Sequence, residues 1–129
     1  MNMYESKCVD LVWDETYQAI VFKWKGYGNM TDIQAAFNKS IELVELKKAV
    51  NLVGEAQKQP TFVKELQDWV DQVWFSKIIS TTIKKIAMVM PENFVSKSAV
   101  NKILNNAGTT IELGTFSTPE EAYAWLGKA

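Results

Sequence analysis

Apolar residues along this chain recur at a spacing of two in some stretches and of three to four in others, and these periods mark its elements. Val9 to Trp13 and Tyr17 to Trp24 are β-rich runs separated by Asp14-Glu-Thr16. In the second run Ala19, Val21 and Lys23 take one side and Ile20, Phe22 and Trp24 the other. This predicts an antiparallel hairpin with a tight polar turn. Gly26-Tyr-Gly28 ends the strand. Thr31-Asp-Ile-Gln34 has the form of a capping box, and Ile33, Phe37, Ile41 and Val44 then mark the apolar stripe of a helix ending near Lys48. Lys47 and Lys48 fall in its last turn, where the helix dipole favours cations.

Ala49 to Gly54 reads as the first interior strand, Glu55 to Pro60 as a polar loop, and Thr61 as the cap of a second helix. That helix departs from simple amphipathicity. At about 100° per residue, Phe62, Leu66, Trp69, Val70 and Val73 share one face, while Trp74, Phe75, Ile78 and Ile79 spread over the remaining directions. Either the helix breaks near Ser76, or this segment contacts something besides the sheet. Ile86 to Met90 predicts the central strand and Ser98 to Asn106 a third helix. Thr110 to Leu113 predicts a last strand. Thr118-Pro-Glu-Glu121 is a strong helix start, with Thr as N-cap and Pro at the first helical position. Ala122, Trp125 and Leu126 then pack the final helix on the sheet.

Strands joined through helices run parallel with right-handed crossovers. The predicted fold is therefore α/β: a mixed sheet of about five strands, with an antiparallel N-terminal hairpin followed by alternating helices and parallel strands. One domain spans residues 1–129.

Composition narrows the chemistry. With 47% apolar and 22% charged residues, the chain is globular rather than disordered. Its net charge of -1 gives no basic footprint and disfavours nucleic acid as a partner. The sequence contains neither histidine nor arginine. That removes the Ser-His-Asp and Cys-His systems, most zinc sites and the guanidinium fork for phosphate. The expectation is a protein that is not an enzyme and carries no cofactor or metal. Cys8 is the only cysteine, so no internal disulfide can form, and a cytoplasmic location is expected. Cys8 itself reads as a small apolar residue in a strand. The N-terminus lacks the pattern of a signal peptide, and no run of about 18 apolar residues could span a bilayer.

Several segments together carry a family resemblance: Trp24-Lys-Gly26, Asp68-Trp69 with Trp74-Phe75, Lys84 through Glu92, Ser96 with Val100 and Ile103, and Glu120-Glu-Ala-Tyr-Ala-Trp-Leu126. In order and spacing the chain resembles the bacterial STAS/SEC14-type domain family, also described as SpoIIAA-like. The resemblance implies an anti-sigma-factor-antagonist-like fold. It implies one of two functions, a regulatory protein-interaction module or a small carrier or sensor of a lipid or other apolar ligand. The phosphoregulated members place a serine, in an Asp-Ser context, at the start of the helix after the first interior strand. Here that region reads Gly54-Glu-Ala-Gln-Lys-Gln-Pro-Thr61, with no Asp-Ser pair and Thr61 as its hydroxyl.

Two groups of residues are candidate sites. The first joins Trp74, Phe75, Ile78 and Ile79 with the turn Glu92-Asn93-Phe94, as a surface for a protein partner, for self-association as a homodimer, or for an apolar small molecule. Ordinary core is the competing reading of its four helical residues. The second is a loop site of Glu55, Gln57 and Thr61 at the carboxyl end of the first interior strand, where ligands meet parallel sheets. Solvated loop residues are the competing reading there.

Overall fold

The structure is a computed structural model that describes residues 2–26, 28–55, 63–89 and 111–127. Among the described residues the sheet has six strands in sequence order: β1 (Asn2–Tyr4), β2 (Val9–Asp14), β3 (Ala19–Trp24), β4 (Asn51–Glu55), β5 (Lys85–Val89) and β6 (Glu112–Phe116). The β1–β2 and β2–β3 pairs are antiparallel, and β3 through β6 are parallel. The strand beyond the expected five is β1, a three-residue edge whose register shifts against β2. So short and bulged an edge leaves little sequence signal.

The helices are α1 (Met30–Lys47), α2 (Lys64–Trp69), a π turn (Val70–Trp74), α3 (Phe75–Ile79) and α4 (Pro119–Leu126). α1 starts earlier than its capping-box pattern predicts. Asn29 is the N-cap, and its side chain accepts the Asp32 amide at 2.8 Å, which places Thr31 inside the first turn. Asparagine caps as well as any residue, and its side chain competes directly with threonine for the free amides. The helix ends at Lys48 in the left-handed region, φ 53°, close to the predicted end. At α4 the expected cap is present, with Thr118 Oγ1 accepting the Glu121 amide at 3.3 Å.

The two faces of the sheet are buried by different elements. Ile20, Phe22, Trp24, Leu52 and Ile86 face α1 and the 64–79 helix, in one core that includes Ile33, Phe37 and Val44. Ala19, Val21, Val53, Ala87 and Val89 face α4, whose Ala122 and Leu126 close a second, smaller core. The side-chain alternation of the strands feeds both layers. Among the described residues the strand order has no point at which it reverses.

β6 also differs from expectation. It spans Glu112–Phe116 and runs on through Gly114, whereas the expected strand covered Thr110 to Leu113. A Cβ at Gly114 would lie 2.9 Å from the Phe116 ring and 3.4 Å from Trp125. The glycine is there to admit rings, not to stop the strand.

Cys8 is fully buried, as a small apolar residue would be, but it lies in a bend just before β2 and not in a strand as expected. Gly28 lies against it: a Cβ at Gly28 would sit 2.5 Å from the Cys8 Cβ and 2.8 Å from its Sγ. Gly28→Ala should therefore destabilise the domain by about 1–3 kcal/mol through overpacking. Urea denaturation measures this, and Cys8→Gly in the same chain should recover part of the loss.

Candidate functional site

The first candidate group divides once its burial is known. Trp74, Phe75 and Ile78 are 4%, 3% and 0% exposed and belong to the main core, while Ile79 is 39% exposed. The three buried residues are therefore not a surface patch of this chain, and the reading of them as an exposed surface is corrected on that point. The Trp74 ring lies 5.1 Å from Phe37 and 4.9 Å from Phe75, both edge-on, and 6.1 Å from Phe22. Its indole N–H donates to the Phe37 carbonyl at 3.1 Å and to Ser40 Oγ at 3.0 Å. A buried indole needs such a partner, and buried Ser40 supplies it from α1.

The backbone explains how so many apolar residues reach one side. The helix does not break at Ser76. It widens instead, with the Phe75 amide bonding the Val70 carbonyl five residues back. On a regular helix Leu66, Val70, Trp74, Phe75 and Ile78 would sweep roughly 180°, at about 100° per residue. The wide turn absorbs one residue and brings all five into a sector of roughly 100°. Gln72, Ser76 and Lys77 stay exposed. Sequence reasoning missed this because it assumed one period throughout. The available signal was the stripe itself, which becomes regular when one residue between Val70 and Trp74 is skipped.

The second group is placed only in part. Glu55 ends β4, on the face covered by α4, and its Oε2 accepts a hydrogen bond from the Tyr123 hydroxyl at 3.1 Å. Tyr123 also packs on Tyr17 with ring centroids 5.1 Å apart. Gln57, Thr61, Glu92, Asn93 and Phe94 lie outside the described residues. Among the described residues, no group of three metal-ligating side chains could hold an ion. No helix among them is long and apolar enough to cross a membrane.

Burial pushes the Tyr123 hydroxyl well above the usual tyrosine range, and the negative charge of Glu55, with its hydrogen bond, pushes it the same way. Asp14 and Tyr17 add smaller contributions of the same sign. The folded-state value is thus raised above the unfolded one. Its contribution to stability is complete below about pH 10, the unfolded tyrosine range, and is lost as alkali is added beyond it. Tyr123→Phe should cost about 1 kcal/mol at neutral pH. It should also remove a tyrosine ionisation displaced to higher pH from an ultraviolet alkaline titration.

The model of the SpoIIAA-like family matches residues 19–127. The chain belongs to the SpoIIAA-like family. The match runs from the first residue of β3 through α4, and leaves out β1 and β2 with Cys8, Val9 and Leu11 of the main core. None of the curated proteins and none of the solved structures compared with it matches. Membership of the SpoIIAA-like family suggests a STAS-type regulatory or interaction module. Lys85 lies within β5 and its Nζ stands 5.0 Å from the centroid of the Trp125 ring.

Proposed function

We propose that this SpoIIAA-like domain is a non-enzymatic interaction module of the cytoplasm. It docks a protein partner on the outer side of the 64–79 helix around Ile79, together with the Glu92-Asn93-Phe94 segment. The supporting observation is that Trp74, Phe75 and Ile78 fill the space between this helix and the sheet with the protein's own rings and methyls. A carrier of lipid or another apolar ligand needs open volume lined by such residues, whereas a docking module needs them to make a rigid platform. Outside that platform the helix keeps Ile79 in solvent, and Val63 precedes its first turn, exposed as well. Exposed apolar side chains on a rigid element are the usual anchors of a protein contact.

A second copy of the chain is the simplest partner to test. Light scattering across a concentration series should show a monomer–dimer equilibrium that Ile79→Glu shifts toward monomer by tenfold or more, with an unchanged melting temperature. Ile79 is a surface position, so the substitution itself should alter stability by no more than about 0.5 kcal/mol. A strict monomer that retains an apolar small molecule through purification would overturn the docking reading in favour of a carrier.

A further inference from the structure

We propose that the π turn at Val70–Trp74 is a register switch that can move one helical turn toward the C-terminus, exchanging Phe75 for Val73 in the core. The helix carries one residue more than a straight helix needs, and that residue must be absorbed somewhere. In the structure it is absorbed between Val70 and Trp74. Absorbing it instead across residues 74–78 leaves Leu66, Val70 and Ile78 facing the sheet. At about 100° per residue, Val73 then rotates inward and Phe75 rotates out, to the side that carries Ile79. Both arrangements present a continuous apolar face, because Val73 is apolar and already half-buried. Movement the other way, across residues 66–70, would replace Val70 in the core by Asp71, and burying that carboxylate excludes it.

The catch is Trp74. Its indole bonds to Phe37 and Ser40 fix the wide turn where it is, since shifting the turn swings Trp74 away from α1. Ser40 Oγ also donates to the Phe37 carbonyl on its own account at 2.5 Å. Release therefore leaves α1 internally bonded and costs chiefly the indole N–H contact. The switch would deliver an aromatic side chain to the docking side proposed above, and only that use rests on the docking reading. The test needs no partner, so the two can fail separately.

Relaxation-dispersion NMR on the isolated chain reads such an exchange directly. Expected is microsecond-to-millisecond exchange confined to amides 70–79, with a minor population that rises severalfold in Ser40→Ala. Deletion of Gln72, an exposed residue inside the wide turn, removes the extra residue. It should give a regular helix with all five core residues in line, a folded spectrum, an undiminished melting temperature and no exchange. Flat dispersion profiles across 70–79 in both the parent and Ser40→Ala would overturn the proposal. So would exchange that persists after the deletion, or a deletion variant that fails to fold while deletion of Ser76 is tolerated.

Discussion

Trp74→Ala should lower the unfolding free energy by about 3–5 kcal/mol, a large share of the roughly 5–15 kcal/mol that holds a domain of this kind together. The ring touches Phe22, Phe37 and Phe75, so its removal opens a cavity where the two helices and the sheet meet. Trp74→Phe separates the ring from its N–H. It keeps most of the apolar contact and gives up the two indole bonds, at an expected cost of about 1–2 kcal/mol. Ser40 retains its bond to the Phe37 carbonyl in either variant, so no second group is orphaned. Urea titrations of the three proteins give the ordering. A loss below about 1 kcal/mol for Trp74→Ala would mean that this residue is not where the structure puts it.

Phe75→Glu and Ile79→Glu should have opposite outcomes although the residues lie one turn apart. Phe75 is fully enclosed beside Trp74, with ring centroids 4.9 Å apart. A carboxylate buried there would cost at least about 3–5 kcal/mol, whether it stays charged or is forced to protonate. Expected is a chain with collapsed near-ultraviolet circular dichroism, or one that unfolds well below the parent temperature. Ile79→Glu should melt with the parent. A dimer lost on Phe75→Glu would consequently report a lost fold, and only the Ile79 substitution can report a lost contact. Equal melting temperatures for the two variants would contradict the burial pattern of the helix.

The sequence made β2 to β5 and the final helix legible because each carries a local pattern: alternation in Ala19 to Trp24, and Thr118 with Pro119 at the start of α4. The family was legible as well, in the order of segments running from Trp24 to Leu126. What escaped depended on tertiary neighbours. The last strand was expected to end at Leu113, yet β6 runs on through Gly114, whose missing Cβ makes room for Phe116 and Trp125. Trp74, Phe75 and Ile78 were correctly singled out as an apolar excess. Their burial could not be read with a fixed 3.6-residue period, since a single five-residue turn rotates everything after it. Glu55 was named as a loop candidate, but its partner Tyr123 stands 68 residues away and no local pattern connects them. Of the remaining candidates, Ile79 is the exposed one among the described residues.

The central question is whether the apolar excess of the 64–79 helix is used up by the protein's own core or lines a space for cargo. Native mass spectrometry of the full chain, purified without detergent or organic solvent, answers it most directly. Expected are ions of the protein alone, as monomer and dimer, with the dimer fraction reduced in Ile79→Glu. One apolar molecule per chain, released only on unfolding and absent from Trp74→Ala, would contradict a filled core and make the domain a carrier.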